Sequence, residues 1–219
     1  MKIAIAGAAG RMGQTLVRAA LGEGHPLTGA SEQAGPSVGK DAAKLAGLDP
    51  YGVLICATPG EAAKSADVWI DFTRPAATLA ALAALPGAGV RVAVIGTTGF
   101  SADQETMIRT VAESMTVVKA GNFSVGVTLA AALTERAARA LGPDWDIEIS
   151  ETHHRHKIDA PSGTALLLGE AAAKGRGNDL SSVRTPPYDG LTGARQPGRI
   201  GFSVRRAGGR KAYYKLYGQ

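Results

Sequence analysis

The chain opens on an unbroken apolar run, Lys2–Ala6 (K-I-A-I-A), the pattern of a strand buried on both faces of a parallel sheet. A glycine-spaced turn follows, then a helical stretch over Gln14–Leu21 and a second apolar run, Pro26–Ala30. Further runs at Val53–Ala57, Val68–Phe72, Val90–Ile95 and Thr116–Ala120 predict strands. Ala76–Leu85 and Ala102–Ser114 predict helices between them. Such alternation argues a parallel sheet with helices on both faces.

The alternation stops near Asn122–Ser124, which sets a boundary between a first domain, 1–123, and a second, 124–219. The second opens with an alanine-rich helix, Val125–Leu141. Trp145–Ser150 (W-D-I-E-I-S) then alternates like a half-buried strand. Ile200–Arg206 and Ala212–Tyr217 predict further strands, and the Gly- and Pro-rich stretch 184–201 a long loop of the kind that often carries function.

Candidate chemistry sharpens this outline. Gly7-Ala8-Ala9-Gly10-Arg11-Met12-Gly13 lies between the first strand and the first helix, where a dinucleotide site keeps its phosphate-binding turn. Gly7 would permit the tight turn, Gly10 the approach of a pyrophosphate to the helix N-terminus, and Gly13 close helix packing. The spacing is G-x-x-G-x-x-G rather than G-x-G-x-x-G, so a purely structural glycine turn stays open. Glu32 follows the glycines by about twenty residues, where an acidic group accepts from ribose hydroxyls; a plain loop glutamate is the alternative. Its neighbour is Gln33, so no obvious guanidinium awaits a 2′-phosphate. That favours NADH over NADPH, with Arg11 still able to assist the latter. The later strands end in Asp71-Phe72-Thr73-Arg74, Gly96-Thr97-Thr98-Gly99 and Ala120-Gly121-Asn122-Phe123. Ligands bind at the carboxyl ends of such strands, which makes these loops candidates for the nicotinamide side. Each alone also reads as an ordinary turn. The fold class is therefore α/β: an N-terminal Rossmann-like parallel-sheet domain and a smaller α+β substrate domain with a mixed or antiparallel sheet.

The densest chemistry is E-T-H-H-R-H-K-I-D-A-P-S-G-T-A, residues 151–165. His153, His154 and His156 can exchange protons near neutrality, and Lys157 adds a cation beside them. Crowded cations favour the neutral form of each, so an acid can emerge. Pro161 suits the first turn of a helix starting at Ser162-Gly163-Thr164, with Asp159 or Ser162 as cap. The first amides of that helix attract anions, Gly163 allows close approach, and Thr164 adds a hydroxyl. A small carboxylated substrate that must receive a proton fits this arrangement. A zinc site and a solvated turn are the competing readings of H-H-x-H.

Bulk properties narrow the class. A chain of 219 residues can bury a substantial core, and its net charge of +5 is mild. No apolar run reaches membrane-spanning length and no secretory pattern opens the chain. One cysteine, Cys56, excludes an internal disulfide framework and fits a reducing cytoplasm. Arg205, Arg206, Arg210, Lys211 and Lys215 alternate with Tyr213, Tyr214 and Tyr217 near the end. A solvated strand face is favoured there over a nucleic-acid contact.

Read as whole motifs, the chain resembles the 4-hydroxy-tetrahydrodipicolinate reductase family, also called dihydrodipicolinate reductase. The matching pieces are G-A-A-G-R-M-G, D-F-T-R-P, V-I-G-T-T-G-F, N-F-S-V-G-V, the 151–165 string and P-G-R-I-G-F-S-V-R-R-A-G, in order from residue 7 to 208. The resemblance implies an NADH- or NADPH-dependent reduction of a cyclic, doubly carboxylated imine in lysine and diaminopimelate synthesis. It implies His153 as proton donor/acceptor and Lys157 as second proton donor. It places the substrate carboxylates on His154, Gly163 and Thr164, with Ser162 close by. It puts the pyrophosphate on Gly7, Ala8, Ala9, Gly10, Arg11 and Met12, and the ribose on Glu32, with Gln33 at a position that often carries Arg. Phe72, Gly96, Thr97, Thr98, Ala120, Gly121, Asn122 and Phe123 would serve the nicotinamide side, with no metal. It also implies a tetramer formed through the second sheet. The family pattern continues past Gly208 with a G-x-H segment, more strands, a basic substrate contact and a returning helix; here the chain reads G-R-K-A-Y-Y-K-L-Y-G-Q, which suggests a truncated second domain. The residues alone also leave room for a reductase of another small imino or keto acid, and for a cofactor-binding relative without turnover.

Overall fold

In the computed structural model, which describes residues 1–209 in full and 213–218 by their backbone, the opening run forms β1 (Ile3–Ala6) with all four residues buried. Alternation along β1 sends Ile3 and Ile5 to one face of the sheet and Ala4 and Ala6 to the other. Each face carries its own core. Ile3 and Ile5 pack with Val17, Leu27 and Ile55; Ala4 and Ala6 share a core with Trp69, Leu82, Leu85 and Ile95. This is why the run is apolar without a break.

After β1 come α1 (Arg11–Gly22), β2 (Leu27–Ser31), α2 (Ala42–Leu45), β3 (Ile55–Cys56), α3 (Pro59–Ala63), β4 (Val68–Asp71), α4 (Pro75–Ala84), β5 (Val92–Ile95), α5 (Ala102–Val111) and β6 (Thr116–Lys119). The six strands form one parallel sheet in the order β3-β2-β1-β4-β5-β6. The strand order reverses between β1 and β4, and ligands of open α/β sheets bind outside the carboxyl ends of the strands at such a point.

The sequence reading missed two short helices here, and it overextended β3. Both helices carry local start signals: Asp41 accepts the Lys44 N–H at 2.9 Å for α2, and Thr58 accepts the Glu61 N–H at 3.4 Å, followed by Pro59, for α3. At four and five residues they are too short for apolar periodicity to register. α5 stops at Val111 rather than Ser114; its start is set by a capping box between Ser101 and Gln104.

The chain falls into two compact units, Met1–Gly121 and Asn122–Gln219. The second contains α6 (Val125–Leu141), β7 (Ile147–His153), α7 (Gly163–Gly175), α8 (Leu180–Val183), β8 (Ile200–Arg206) and β9 (Tyr213–Gly218). Its sheet runs β8-β7-β9, with β7 parallel to β8 and antiparallel to β9, a mixed sheet. α6 and α7 supply Ala138, Ala165, Leu168 and Ala172 to a core with Ile147, Ile149 and Ile200. β7 runs three residues past the Ser150 end expected from its pattern, because ladders on both sides hold Glu151 and Thr152 in the sheet and β8 holds His153. Ala212 lies outside the described residues, as do Arg210, Lys211 and the side chains of Lys215, Tyr213, Tyr214 and Tyr217, so the tail reading applies only to Arg205 and Arg206. Among the described residues no helix is long and apolar enough to cross a membrane.

Candidate active site

The first unit builds a cradle at the carboxyl end of β1. Gly7 takes φ +60°, a left-handed turn that a side chain would strain. The Gly10 N–H closes the turn on the Gly7 carbonyl at 2.9 Å, and the Ala8 N–H reaches the Ser31 carbonyl on β2 at 3.0 Å. Gly10 caps α1 without a side chain, so the first amides of the helix remain available to an anion. A Cβ on Gly13 would lie 2.0 Å from the Gly7 oxygen; α1 can pack this tightly on the turn only with glycine there.

Glu32 ties the end of β2 to this turn. Its carboxylate accepts the Ala9 N–H at 3.3 Å and the Gln33 N–H at 3.0 Å. The Arg74 guanidinium donates to the Gln33 side-chain oxygen, so the fold brings a cation to a place where the sequence reading found none. Gly7, Gly10, Arg11, Met12, Glu32, Gln33, Phe72 and Arg74 all line one cavity of about 950 Å³. Ala8 is fully buried and Ala9 half-buried, and neither is among the residues lining the cavity.

The loops after β4 and β5 are tied together through Asp71 and Thr73, which also line that cavity. Asp71 is buried and accepts from the Thr73 N–H (2.9 Å), the Thr73 hydroxyl (2.6 Å) and the Thr97 hydroxyl (3.3 Å). Thr97 is buried and also accepts from the Thr78 hydroxyl at 2.9 Å. The Phe72 ring fills the space beside Gly96, where a Cβ would meet it at 2.0 Å. Thr98 is exposed, with Gly121 beside it, whereas Ala120 is half-buried. None of Gly96, Thr97, Thr98, Ala120 or Gly121 lines the 950 Å³ cavity. In the second unit Asn122 accepts the Ser124 N–H at 2.7 Å just before α6, and Phe123 is exposed.

The second unit gathers titratable side chains at and just after the end of β7. Alternation buries Ile147, Ile149, Glu151 and His153 on one face of the strand. The Glu151 carboxylate, 1% exposed, accepts the Ser162 N–H at 2.9 Å and the Ser162 hydroxyl, and lies 3.4 Å from His153 Nδ1 and 3.7 Å from Arg206 Nη1. Ser162 is the N-cap of α7; its Oγ accepts the Ala165 N–H at 3.2 Å. Pro161 therefore precedes the cap, on a cis bond from Ala160, rather than lying in the first turn. Asp159 does not cap. It pairs with Lys157 Nζ at 2.7 and 2.9 Å, and Lys157 beside it holds its carboxyl below the usual range. Burial lowers the His153 pKa, opposed by Glu151 and reinforced by Lys157, Arg206 and His154. Gly163 is exposed, and a Cβ there would meet nothing within 4 Å; Thr164 is half-buried. His154 and His156 stand with ring centroids 6.2 Å apart, and among the described residues no group of three or more His, Cys, Asp or Glu gathers as metal ligands.

Sequence models described as the N-terminus and the C-terminus of dihydrodipicolinate reductase match residues 1–123 and 126–216. The chain belongs to the dihydrodipicolinate reductase family. A 4-hydroxy-tetrahydrodipicolinate reductase of Sinorhizobium fredii is 55% identical over 95% of this chain and 77% of its own length. One of Methylocella silvestris is 49% identical over 99% of this chain and 80% of its own. Among solved structures, a dipicolinate-bound dihydrodipicolinate reductase from Paenisporosarcina aligns with a TM-score of 0.69 at 28% identity, over all of this chain and 86% of that one. The family uses NAD(P)H.

Two residues of this candidate site escaped the sequence reading. Glu151 was passed over, although W-D-I-E-I-S-E-T-H places it on the buried face together with His153; the alternation itself was the signal. Arg206 was read as part of a solvated strand face. It pairs with His153 across the β7–β8 register and donates to the carbonyls of Lys157, at 3.4 Å, and Asp159. No local pattern marks it, because its partners are far along the chain.

Proposed function

We propose that this chain reduces 4-hydroxy-tetrahydrodipicolinate to tetrahydrodipicolinate with NAD(P)H, a step of the diaminopimelate route to lysine. The observation that carries the reading is the buried imidazole of His153, set beside the N-terminus of α7 in a chain whose first unit holds a dinucleotide cradle. The cradle fits the cofactor: a sterically required glycine turn, uncommitted helix amides and an acidic group border one large cavity. The bound dinucleotide supplies the hydride. The turn from Gly7 to Met12 would hold its pyrophosphate, with the Arg11 and Met12 amides at the start of α1 as the donors, and Glu32 would take its adenosine ribose. In the first unit Phe72, Gly96, Thr97, Thr98, Ala120 and Gly121 would serve the nicotinamide side.

In the second unit the Gly163 and Thr164 amides, with His154, hold the substrate carboxylates and orient the ring. Ser162 has its N–H and hydroxyl engaged by Glu151, so it shapes that anion site as cap. The 4-hydroxyl leaves as water, taking a proton from Lys157, which Asp159 tethers, while the ring gives up a C–H proton; after hydride addition His153 donates the proton that quenches the anion formed on reduction. Glu32 and Gln33 favour NADH, and Arg74 at Gln33 gives NADPH a cation for its 2′-phosphate. The same reading takes the enzyme as a cytoplasmic homo-oligomer; β8 and β9, the outer strands of the second sheet, offer edges for association, which light scattering would test.

The test is nicotinamide oxidation with freshly generated hydroxy-tetrahydrodipicolinate, NADH and NADPH in parallel. Rapid turnover is expected. Cofactor binding without turnover would refute the reading.

A further inference from the structure

We propose that Glu151 is a positioning residue that fixes the His153 imidazole with its proton on Nδ1 and, through Ser162, aligns the anion-binding start of α7 with that acid. The inference rests on the reading of His153 as proton donor.

Glu151 reaches both halves of the second unit's site with one carboxylate. Its Oε2 lies 3.4 Å from His153 Nδ1 and accepts the Ser162 hydroxyl, while Oε1 accepts the Ser162 N–H at 2.9 Å. It is 1% exposed, and a carboxylate removed from water this completely needs donors on every side. Ser162 donates twice, and the Arg206 guanidinium at 3.7 Å and His153 Nδ1 at 3.4 Å face the carboxylate as charge partners. The strand dictates the pairing: residues two apart on β7 point to the same face, so Glu151 and His153 are neighbours by register.

The chemical consequence follows from imidazole itself. A buried carboxylate 3.4 Å from Nδ1 favours the proton on that nitrogen, so in the neutral ring Nε2 is the basic nitrogen. Proton traffic then passes through Nε2, and the imidazolium is stabilised from behind by Glu151. Three further groups oppose that charge: Lys157 from the following loop, Arg206 from β8 and neighbouring His154. Glu151 is the one group among these four that favours the protonated acid. Its link to Ser162 ties the acid to the segment that carries the Gly163 and Thr164 amides, the alignment that near-attack geometry requires.

Glu151→Gln tests this. The amide keeps the size and can still accept the Ser162 N–H, but it carries no charge and turns an NH2 group toward Nδ1 or the Ser162 hydroxyl. The expected result is a fall in kcat of about 100-fold, with the basic limb of kcat/KM moved down by about one pH unit and NADH affinity unchanged. Glu151→Asp should return part of the shift in the limb. A Glu151→Gln enzyme that melts earlier but keeps the wild-type pH profile would overturn the proposal, leaving Glu151 a structural residue. Nitrogen chemical shifts of His153 in the wild-type protein give a second measurement, independent of any variant's folding: the Nδ1–H tautomer supports the proposal and the Nε2–H tautomer sinks it. His153→Gln separates the two readings. If it retains both the rate and the limb, the assignment of the acid falls and takes the proposal with it; if it loses both while Glu151→Gln is silent, only the proposal falls.

Discussion

The side chain of Gln33 accepts a hydrogen bond from the guanidinium of Arg74, forty-one residues further along the chain. Both line the cavity that begins at the glycine turn, at its Glu32 edge. A guanidinium is the natural partner of a phosphate monoester, while Glu32 suits ribose hydroxyls. Arg74→Ala should therefore lower kcat/KM for NADPH by about tenfold, a loss of one charge-assisted contact, and leave NADH nearly unchanged. Steady-state kinetics with both cofactors decides it. Equal losses would mean that Arg74 serves the loop rather than the phosphate.

Gly13→Ala places a methyl group 2.0 Å from the Gly7 oxygen, closer than any real contact. The helix must shift away from the turn, and the amides that would hold the pyrophosphate move with it. The dissociation constant for NADH should rise by about tenfold or more, since overpacking of this kind costs roughly 1–3 kcal/mol. Fluorescence titration is the readout, with a lowered melting temperature in parallel.

His153→Gln and Lys157→Ala should each reduce turnover by about 100-fold or more, as loss of a general acid does, with little change in NADH binding. The two groups belong to the second unit, whereas the glycine cradle belongs to the first. Near-normal turnover in both variants would remove them from the mechanism.

Burial is the largest influence on His153 and pushes its pKa below the ordinary 6.5. The acid form is lost as pH rises, so kcat/KM should fall through a limb whose midpoint lies below 6.5. Stability carries the opposite sign. The unfolded chain binds the proton first, so the His153 contribution to stability is lost as the pH falls from 6.5 toward its folded pKa. Denaturant titrations of wild type and His153→Gln over that window should converge toward low pH.

Asp71→Ala would strand the hydroxyls of Thr73 and Thr97 and the Thr73 N–H in a buried setting. A loss of about 3 kcal/mol is expected, visible as a reduced denaturation midpoint. The loops it ties carry Phe72 and Gly96, so NADH binding should weaken as well.

Much of this protein was legible in its sequence because the deciding interactions are local. β1 announced itself by burial on both faces, the turn at Gly7 by glycines that a tight turn and a close helix require, and α7 by a Ser-Gly-Thr start. The clustering of His153 and Lys157 at the end of β7 was legible for the same reason. The partners of those residues were not. Glu151 could have been read from strand alternation. Arg206, Arg74 and the Asp71–Thr97 link depend on strands and loops being set side by side, and apolar periodicity carries no record of such pairing. The sequence by itself determined most of the elements, the glycine turn and the histidine-rich segment, since backbone preference and burial act over a few residues. Tertiary structure alone decided which charge faces which, because a carboxylate acts on an imidazole only when the fold brings them within a few ångströms.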